Sequence, residues 1–431
     1  MKASLKCVPA VLLVIVGFVL LPASVQAQEG GKTFVYTNNN AFPNTVTVFS
    51  VGPLGTLTMV GPPVMTGGNG IGLSFASNTA TTSAASATMR KRFLYVSNNG
   101  TNNISGFSIN PATGALKPIP GSPFPTGGSG GLSGISLAVT PNGKFLYAGN
   151  GGSNNISEFS VAGDGVLTRL PRSPFFVGGH PDGIKVSPNG KWLGVALGFP
   201  AFVAMLSIGS DGELASVPGS PFSQDGTGDE AASVDMSCKS NLLFAALAAG
   251  PDTEVGVSTI ASDGALRSIP GSPFHFLPGI NSNVAVLSPD NQWLFVSNQA
   301  SNTITSLDVE ANGSLAQVNG SPFPDSGAVD PNGMATNAEG TLLYVANGDS
   351  RVTGFHIDNS NGSLSRVPLS PFATGGGGFL TSLTVFPAKR VEGEGDENGD
   401  DGHKGHSVSR RDVSAQLRAG WNLRKVTPAE E

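Results

Sequence analysis

Short runs of apolar residues alternate with turn-forming residues along most of the chain. In one stretch the β-branched apolar run Ile135–Val139 precedes the turn Thr140-Pro-Asn-Gly143, and a second apolar run begins at Phe145. Ile156–Val161 then alternates between apolar and polar residues, as a half-exposed strand does, and Val166–Leu170 follows after a hairpin turn. The pattern predicts four antiparallel strands here, which we call the inner, second, third and outer strands.

The same order of strands repeats with a period near 50 residues. A Ser-Pro-Phe triplet follows the outer strand of six units, beginning at Ser122, Ser173, Ser220, Ser272, Ser321 and Ser370. Gly61-Pro-Pro-Val64 is an altered copy that lies 61 residues before the first triplet. Proline cannot donate a hydrogen bond to a strand ladder, so we expect the triplet at a strand exit, with its phenylalanine packed between units. Seven units of this length are typical of the blades of a β-propeller.

The first and last units are each incomplete, and they complement one another. The first unit begins with a second strand at Phe34, whereas the last predicted strand, Ser382–Phe386, is an inner strand. If that last strand completes the first blade, the ring closes and no sheet edge stays open. We therefore predict an all-β fold, a seven-bladed β-propeller with four antiparallel strands per blade. In the second unit we place the inner strand at Ile71 and expect a mobile surface loop over Thr79–Arg90.

The N-terminal 27 residues have the features of a secretory signal. Lys2 and Lys6 precede the apolar run Val11–Leu21, and small residues lead up to a cleavage site after Ala27. The apolar run is shorter than the roughly 20 residues that a membrane span needs, although an uncleaved anchor is the alternative. We expect an exported, monomeric protein of the periplasm or the cell exterior, with no membrane span after cleavage.

The C-terminal residues 388–431 differ in composition from the repeats. They hold 8 Lys and Arg and 9 Asp and Glu among 44 residues, so they have little to bury. Such composition favours disorder. The predicted organisation is a signal over residues 1–27, a propeller over 28–387 and a charged tail over 388–431.

The overall composition excludes two classes of protein. The chain contains 59 Gly and 31 Pro in 431 residues, and both residues disrupt helix interiors, so a long-helix protein is disfavoured. A formal net charge of -6 leaves no basic face for nucleic acid.

Several second strands carry a recognisable motif. Tyr95-Val-Ser-Asn98, Phe295-Val-Ser-Asn298 and Tyr344-Val-Ala-Asn347 resemble the Tyr-Val-Thr-Asn (YVTN) repeats of secreted bacterial propellers. With turns such as Ser187-Pro-Asn-Gly-Lys191, the unit is similar to the seven-bladed lactonase family, which includes 6-phosphogluconolactonase-like and muconate-cycloisomerase-like members. The resemblance covers residues 33–387 and implies the propeller fold, with lactonase activity as the family's chemistry.

The resemblance weakens at the positions that would carry activity. Active members of the family have a Pro-His pair just before an inner strand, with Arg and Glu from neighbouring blades. Here His180-Pro181-Asp182 has the reverse order, and Asp229-Glu230 stands near the place of Pro-Arg-His. A shift of one residue turns a strand side chain to the other face, so the family's catalytic geometry is not carried over directly.

Polar residues precede the inner strands and should converge at one end of the ring. We take His180, Asp229 and Glu230 as candidate catalytic residues. The candidate binding residues are Asp182, Asn281, Asn283, Asp330 and Asn332. Polar loop tips are also common without any function.

Lactone hydrolysis would place particular demands on these residues. It needs a base, for which His180 or Glu230 is suited, and a positive group for the oxyanion. Lys185 lies within an inner strand and would have to reach the channel mouth. A calcium or magnesium ion between Asp182, Asp229 and Asp330 could serve instead, because hard cations prefer oxygen ligands.

Three functions follow from these observations, and the sequence leaves open whether the protein is an enzyme. The first is a binding or scaffold protein for a small molecule, an exported protein or a polysaccharide. The second is a lactone hydrolase that uses His180 or Glu230 as base. The third is a surface adhesion module, for which deletion of residues 388–431 would release the protein from cells.

Overall fold

The structure is a computed structural model that describes residues 32–72, 80–82, 92–224, 230–248 and 251–387. The predicted signal at residues 1–27 and the predicted tail at 388–431 lie outside the described residues. No helix in the described part of the chain is long and apolar enough to cross a membrane.

Seven antiparallel sheets, one per blade, confirm the predicted fold. Blades are numbered in chain order, starting with the one whose second strand is Phe34–Asn38. From blade 1 to blade 7, the inner strands are Ser382–Phe386, Ala80–Thr82, Ile135–Val139, Pro181–Val186, Glu230–Met236, Ser282–Leu287 and Pro331–Thr336. The second strands are Phe34–Asn38, Phe93–Asn98, Phe145–Asn150, Trp192–Leu197, Leu242–Ala248, Trp293–Asn298 and Leu342–Asn347. The third strands are Thr45–Val51, Asn103–Ile109, Asn155–Val161, Phe202–Ile208, Thr253–Ile260, Thr303–Val309 and Arg351–Ile357.

Outside these three strands, each blade has a short outer strand and a shorter fifth one. The outer strands are Leu57–Met59, Leu116–Pro118, Leu167–Arg169, Leu214–Ser216, Leu266–Ser268, Leu315–Gln317 and Leu364–Arg366. The fifth strands are Val64–Met65, Phe124–Pro125, Phe175–Phe176, Phe222–Ser223, Phe274–Phe276, Phe323–Pro324 and Phe372–Ala373, and each pairs with the third strand. Two single 3-10 turns, Asn99–Thr101 and Gly151–Ser153, follow the second strands of blades 2 and 3.

The last strand closes the ring as predicted. Phe386 pairs with Phe34, and Ser382 pairs with Asn38, in an unbroken antiparallel register. Blade 1 is therefore built from both ends of the described chain.

The inner strand of blade 2 differs from the prediction. Ala80–Thr82 pairs with the second strand Phe93–Asn98, so the placement at Ile71 was wrong. The backbone N–H of Ile71 instead donates to Asn40 Oδ1 at 2.9 Å. The apolar run at Ile71 suggested a buried strand, but the small and β-branched residues of Ala80–Thr82 also suit a strand. The same strand falls inside the expected surface loop Thr79–Arg90, whose other residues lie outside the described part.

The described core consists of seven apolar clusters, each between two neighbouring blades. Between blades 5 and 6, for example, Phe244 and Val255 pack with Leu294 and Leu307. A blade therefore buries both of its faces only when it has a neighbour on each side.

The Ser-Pro-Phe triplets bind back to their own sheets. The serine hydroxyl accepts a hydrogen bond from a third-strand N–H in all six copies, as Ser272 does from Val257 at 2.8 Å. The phenylalanine then begins the fifth strand and packs against the core between two blades, as predicted. The serine and the proline thus lie in the turn that leaves the outer strand, as predicted, and the phenylalanine returns the chain to the sheet.

Candidate functional site

The inner strands change register near their starts. The inner strands of blades 4, 5, 6 and 7 each contain a bulge-like irregularity within their first four residues. Bulges at such rims redirect side chains. In blades 4 and 7 a glycine occupies the irregular stretch, and a Cβ at Gly183 or Gly333 would lie within 2.7 Å of backbone atoms of the next inner strand. Glycine therefore allows the inner strands to approach each other closely around the centre.

A central cavity of about 640 Å³ lies among the inner strands. Its walls come from blades 3 to 7 and blade 1, and the size suits a ligand such as a single sugar ring. Six of the eight predicted site residues line it: His180, Asp182, Glu230, Asn281, Asn283 and Asn332.

Three of these residues meet at one wall of the cavity. His180 ends the loop before the inner strand of blade 4, Asp182 is the second residue of that strand, and Glu230 begins the inner strand of blade 5. His180 Nε2 lies 3.5 Å from Asp182 Oδ2. One ligand atom from each of the three side chains lies within 4.8 Å of the other two. We call His180, Asp182 and Glu230 the acid–imidazole cluster.

The two carboxyl groups of the acid–imidazole cluster, those of Asp182 and Glu230, destabilise each other when both are ionised. Burial raises the pKa of Asp182 well above its ordinary value, and the adjacent Glu230 carboxylate raises it further. The cause is that two neighbouring carboxyl groups in a poorly hydrated place resist carrying two negative charges. Asp182 is only 5% exposed, and among the described residues its Oδ2 has no hydrogen-bond partner.

Gly198 makes room for the imidazole. It follows the second strand of blade 4, and a Cβ at this position would collide with the ring of His180. Its backbone N–H also donates to the carbonyl of His180 at 3.1 Å. A glycine is therefore required for His180 to occupy its observed position.

The wall formed by blades 6 and 7 is uncharged. Asn283 Nδ2 donates to Asn332 Oδ1 at 2.8 Å, and Gln299 Nε2 donates to the same oxygen at 3.3 Å. Asn281 Nδ2 donates in turn to Gln299 Oε1 at 3.1 Å. Asn332 is buried and donates to the carbonyls of Asp330 and Leu380. Asn332 uses both of its N–H donors and both acceptor positions in these bonds, so it holds Asn283 and Gln299 in place as the amides suited to bind ligand hydroxyl groups.

One ion pair in the cavity wall was not predicted. Lys185 Nζ lies 2.9 Å from Asp235 Oδ1, and both residues line the cavity. Lys185 thus reaches the cavity, but its charge is opposed by a buried carboxylate. Among the described residues that line the cavity, Lys185 is the only lysine or arginine.

Sequence reasoning missed Asp235 and Gln299 for different reasons. Asp235 lies inside an inner strand, where a polar residue carries no local sign of its partner. Gln299 follows a second strand, and only the fold shows that this position lies beside the start of an inner strand.

Two predicted residues have no place in the described site. Asp229 lies outside the described residues. Asp330 does not line the cavity; its N–H donates to Asn302 Oδ1 at 2.8 Å, and its backbone has a positive φ of 56°. Because Asp229 belongs to the predicted cation site of Asp182, Asp229 and Asp330, that site stays a prediction.

A second cluster of ionisable groups lies in blade 5, away from the cavity lining. His275 Nδ1 is 3.0 Å from Asp252 Oδ2, and Glu254 is the cross-strand neighbour of His275. These three side chains also bring potential metal ligands within 4.8 Å of one another.

The repeats match a known family. The family model described as "Lactonase, 7-bladed beta-propeller" matches residues 120–219 and 253–377, which together exceed half of the chain. This chain belongs to the seven-bladed β-propeller lactonase family. A comparison with curated protein sequences gives no match.

Solved structures resemble this lactonase-family propeller in fold. A provisionally assigned 6-phosphogluconolactonase from Bacteroides uniformis is 16% identical, with a TM-score of 0.65 over 82% of this chain and 99% of that one. The periplasmic gluconolactonase PpgL of Pseudomonas aeruginosa is 17% identical, with a TM-score of 0.61 over 82% of this chain and 98% of that one. A protein from Lactobacillus plantarum is also 17% identical, with a TM-score of 0.61 over 82% and 99% of the two chains. At such identities the likeness shows the fold alone.

Proposed function

We propose that the protein hydrolyses a small lactone in its central cavity. The observation that carries this proposal is the convergence of His180, Asp182 and Glu230 at one wall of the cavity. These residues come from two blades, and a ring of packed strands holds them in place. Membership of the lactonase family supports the same reaction class.

The reaction requires a base beside the lactone carbonyl. His180 or Glu230 would take a proton from a water molecule, and the water oxygen would form a bond to the carbonyl carbon. The bond from that carbon to the ring oxygen then breaks. The ring oxygen takes up a proton, and the product is an open-chain hydroxy acid.

Charge and polarity indicate which lactones fit. The wall near Asp182 and Glu230 is acidic, and Lys185 is paired with Asp235. A phosphate or carboxylate substituent would therefore be repelled. The amide network around Asn332 suits the hydroxyl groups of a neutral sugar lactone.

The test compares acid release from neutral and phosphorylated sugar lactones by the chain lacking residues 1–27. We expect turnover of neutral lactones, with kcat/KM reduced at least about 100-fold in Glu230→Gln or His180→Ala. Gly198→Ala keeps His180 but removes the space for its ring, so it should reduce activity as well. Gly163→Ala is the matched control, because a Cβ there meets nothing within 4 Å.

The outcomes separate the proposal from its alternatives. Turnover that survives all three site variants would place the chemistry elsewhere. Turnover of phosphorylated lactones only would contradict the proposed substrate class.

The ion pair of Lys185 with Asp235 favours a second candidate, a binding protein without turnover. No lysine or arginine among the described lining residues is free to stabilise an oxyanion. Calorimetric titration with the same lactones and with their hydroxy acids tests this candidate. Binding that is lost in Asn332→Ala, with no acid release, would support it over hydrolysis.

A further inference from the structure

Three metal-ligating side chains share one wall of the central cavity. His180, Asp182 and Glu230 each have a ligand atom within 4.8 Å of the other two. Two donors that are each about 2.1 Å from a cation lie at most about 4.2 Å apart. The observed spacing therefore needs only a small inward movement of side chains to enclose a cation. All three residues line the cavity, so a water molecule or a ligand could occupy the remaining coordination positions.

A second observation points to a missing ligand at the same place. Asp182 is 5% exposed; its carboxyl group is hydrogen-bonded to Glu230, and its Oδ2 faces His180 Nε2 at 3.5 Å. Within the described chain this oxygen accepts no hydrogen bond. Buried carboxylate oxygens are ordinarily satisfied by a donor or a cation, since leaving one unsatisfied is costly.

We infer that His180, Asp182 and Glu230 bind a divalent cation of the zinc or manganese type. One imidazole nitrogen with two carboxylates is a donor set that suits these metals. Calcium and magnesium prefer oxygen donors throughout, so the imidazole disfavours the two cations expected from the sequence. Three protein ligands with an open position are the arrangement of catalytic metal sites, whereas structural zinc sites are closed by four protein ligands.

This inference goes beyond the proposed function, because cation binding needs no turnover. If the protein is also a lactone hydrolase, the cation would supply a positive charge besides that of Lys185, which is paired with Asp235. It would also lower the pKa of a bound water, so that this water would replace His180 or Glu230 as the source of the nucleophile. The metal test is therefore made without any lactone.

The experiment titrates the metal-free chain lacking residues 1–27 with Zn²⁺, Mn²⁺, Ca²⁺ and Mg²⁺ separately by calorimetry. We expect a site for Zn²⁺ or Mn²⁺ that is tighter than any site for Ca²⁺ or Mg²⁺. His180→Ala, Asp182→Asn and Glu230→Gln should each weaken it by at least about tenfold, since losing even an outer-shell partner costs that much. Co²⁺ gives a second readout, because its visible absorption bands should lose intensity in His180→Ala.

The blade 5 cluster provides the matched control. His275→Ala removes the histidine of the other potential ligand group and should leave the affinity of the cavity site unchanged. Thermal melts confirm that each variant is folded, and His180→Gln replaces His180→Ala if the latter fails to fold. The inference is overturned if the wild type binds neither Zn²⁺ nor Mn²⁺, or if binding survives the three cavity variants and disappears in His275→Ala.

Discussion

Asp325 is a buried carboxyl group that the fold keeps away from water. It follows the fifth strand of blade 6 and is 1% exposed. Burial raises the pKa of Asp325 from 3.8 to about 6, and the charge of Asp349 adds to the increase. The folded state therefore binds the proton of Asp325 more tightly than the unfolded chain does. The stability that comes from this proton is present below about pH 4 and is lost as the pH rises through 6.

We predict that Asp325→Asn changes the pH dependence of unfolding. Between pH 4.5 and 7.5, the free energy of unfolding of the variant should rise relative to the wild type by about 2 kcal/mol, because the amide cannot ionise. Denaturant titrations at the two pH values measure this difference. Asp263→Asn is the control, because Asp263 is exposed in a hairpin turn. If the free energy of unfolding of Asp325→Asn differs from that of the wild type by the same amount at both pH values, the raised pKa of Asp325 is contradicted.

At the scale of the strands, neighbouring blades are joined by a repeated hydrogen bond. All four tyrosines of the chain lie in second strands, and each hydroxyl donates to a glycine carbonyl in the outer hairpin of the next blade. The pairs are Tyr36 with Gly114, Tyr95 with Gly165, Tyr147 with Gly212 and Tyr344 with Gly55, at 2.8 to 3.0 Å. In blade 6 the equivalent residue is Phe295, and its cross-strand partner Ser306 donates to Gly362 at 2.7 Å instead. The bond between blades is thus retained although its donor has moved to another strand.

The tyrosine hydroxyl should contribute measurably to stability. Tyr95→Phe leaves the ring in place but removes the donor to Gly165, so it should lower the free energy of unfolding by about 1 to 2 kcal/mol. Ser306→Ala should lower the free energy of unfolding by a similar amount, since the Ser306 hydroxyl makes the equivalent hydrogen bond from blade 6 to blade 7. Chemical denaturation of the two variants and of the wild type gives the values. Ser108→Ala is a control, because Ser108 bonds only within its own blade at the surface. No loss of stability in either variant would show that the bond between blades is neutral.

The whole molecule depends on closure of the ring by its last strand. Leu383, Val385 and Phe386 are buried, and burial of such side chains is worth about 2 kcal/mol each. Without them the second strand of blade 1 would become an open edge with buried residues on both faces. The combined loss is comparable with the total stability of about 5 to 15 kcal/mol that is usual for a protein.

We predict opposite results from two truncations that differ by six residues. A chain that ends at Thr381 should be insoluble or lack a cooperative melting transition. A chain that ends at Pro387 keeps the closing strand and should melt within a few degrees of the full-length protein. Solubility and thermal melting of both proteins check the prediction. A soluble, cooperatively folded chain ending at Thr381 would mean that the ring does not need its last strand.

Local patterns were sufficient to predict the four longer strands of most blades, but they misplaced one inner strand and did not predict the short fifth strands. Alternation of side chains and turn residues such as those at Thr140–Gly143 act within a few residues, so they can be read directly. The error at Ile71 arose because an apolar run was preferred to Ala80–Thr82, whose place is decided by pairing with Phe93–Asn98.

The sequence by itself determined the number of blades, the order of their strands and the closure of the ring, because repetition and alternation are properties of neighbouring residues. It also indicated that residues before the inner strands would meet at one end. Only the tertiary structure decided that Glu230 joins His180 and Asp182, that Asp235 pairs with Lys185 and that Asp330 lies apart from the cavity. These outcomes depend on irregular strand starts and on contacts between residues of different blades that lie about 50 positions apart in the sequence. No local pattern encodes such contacts.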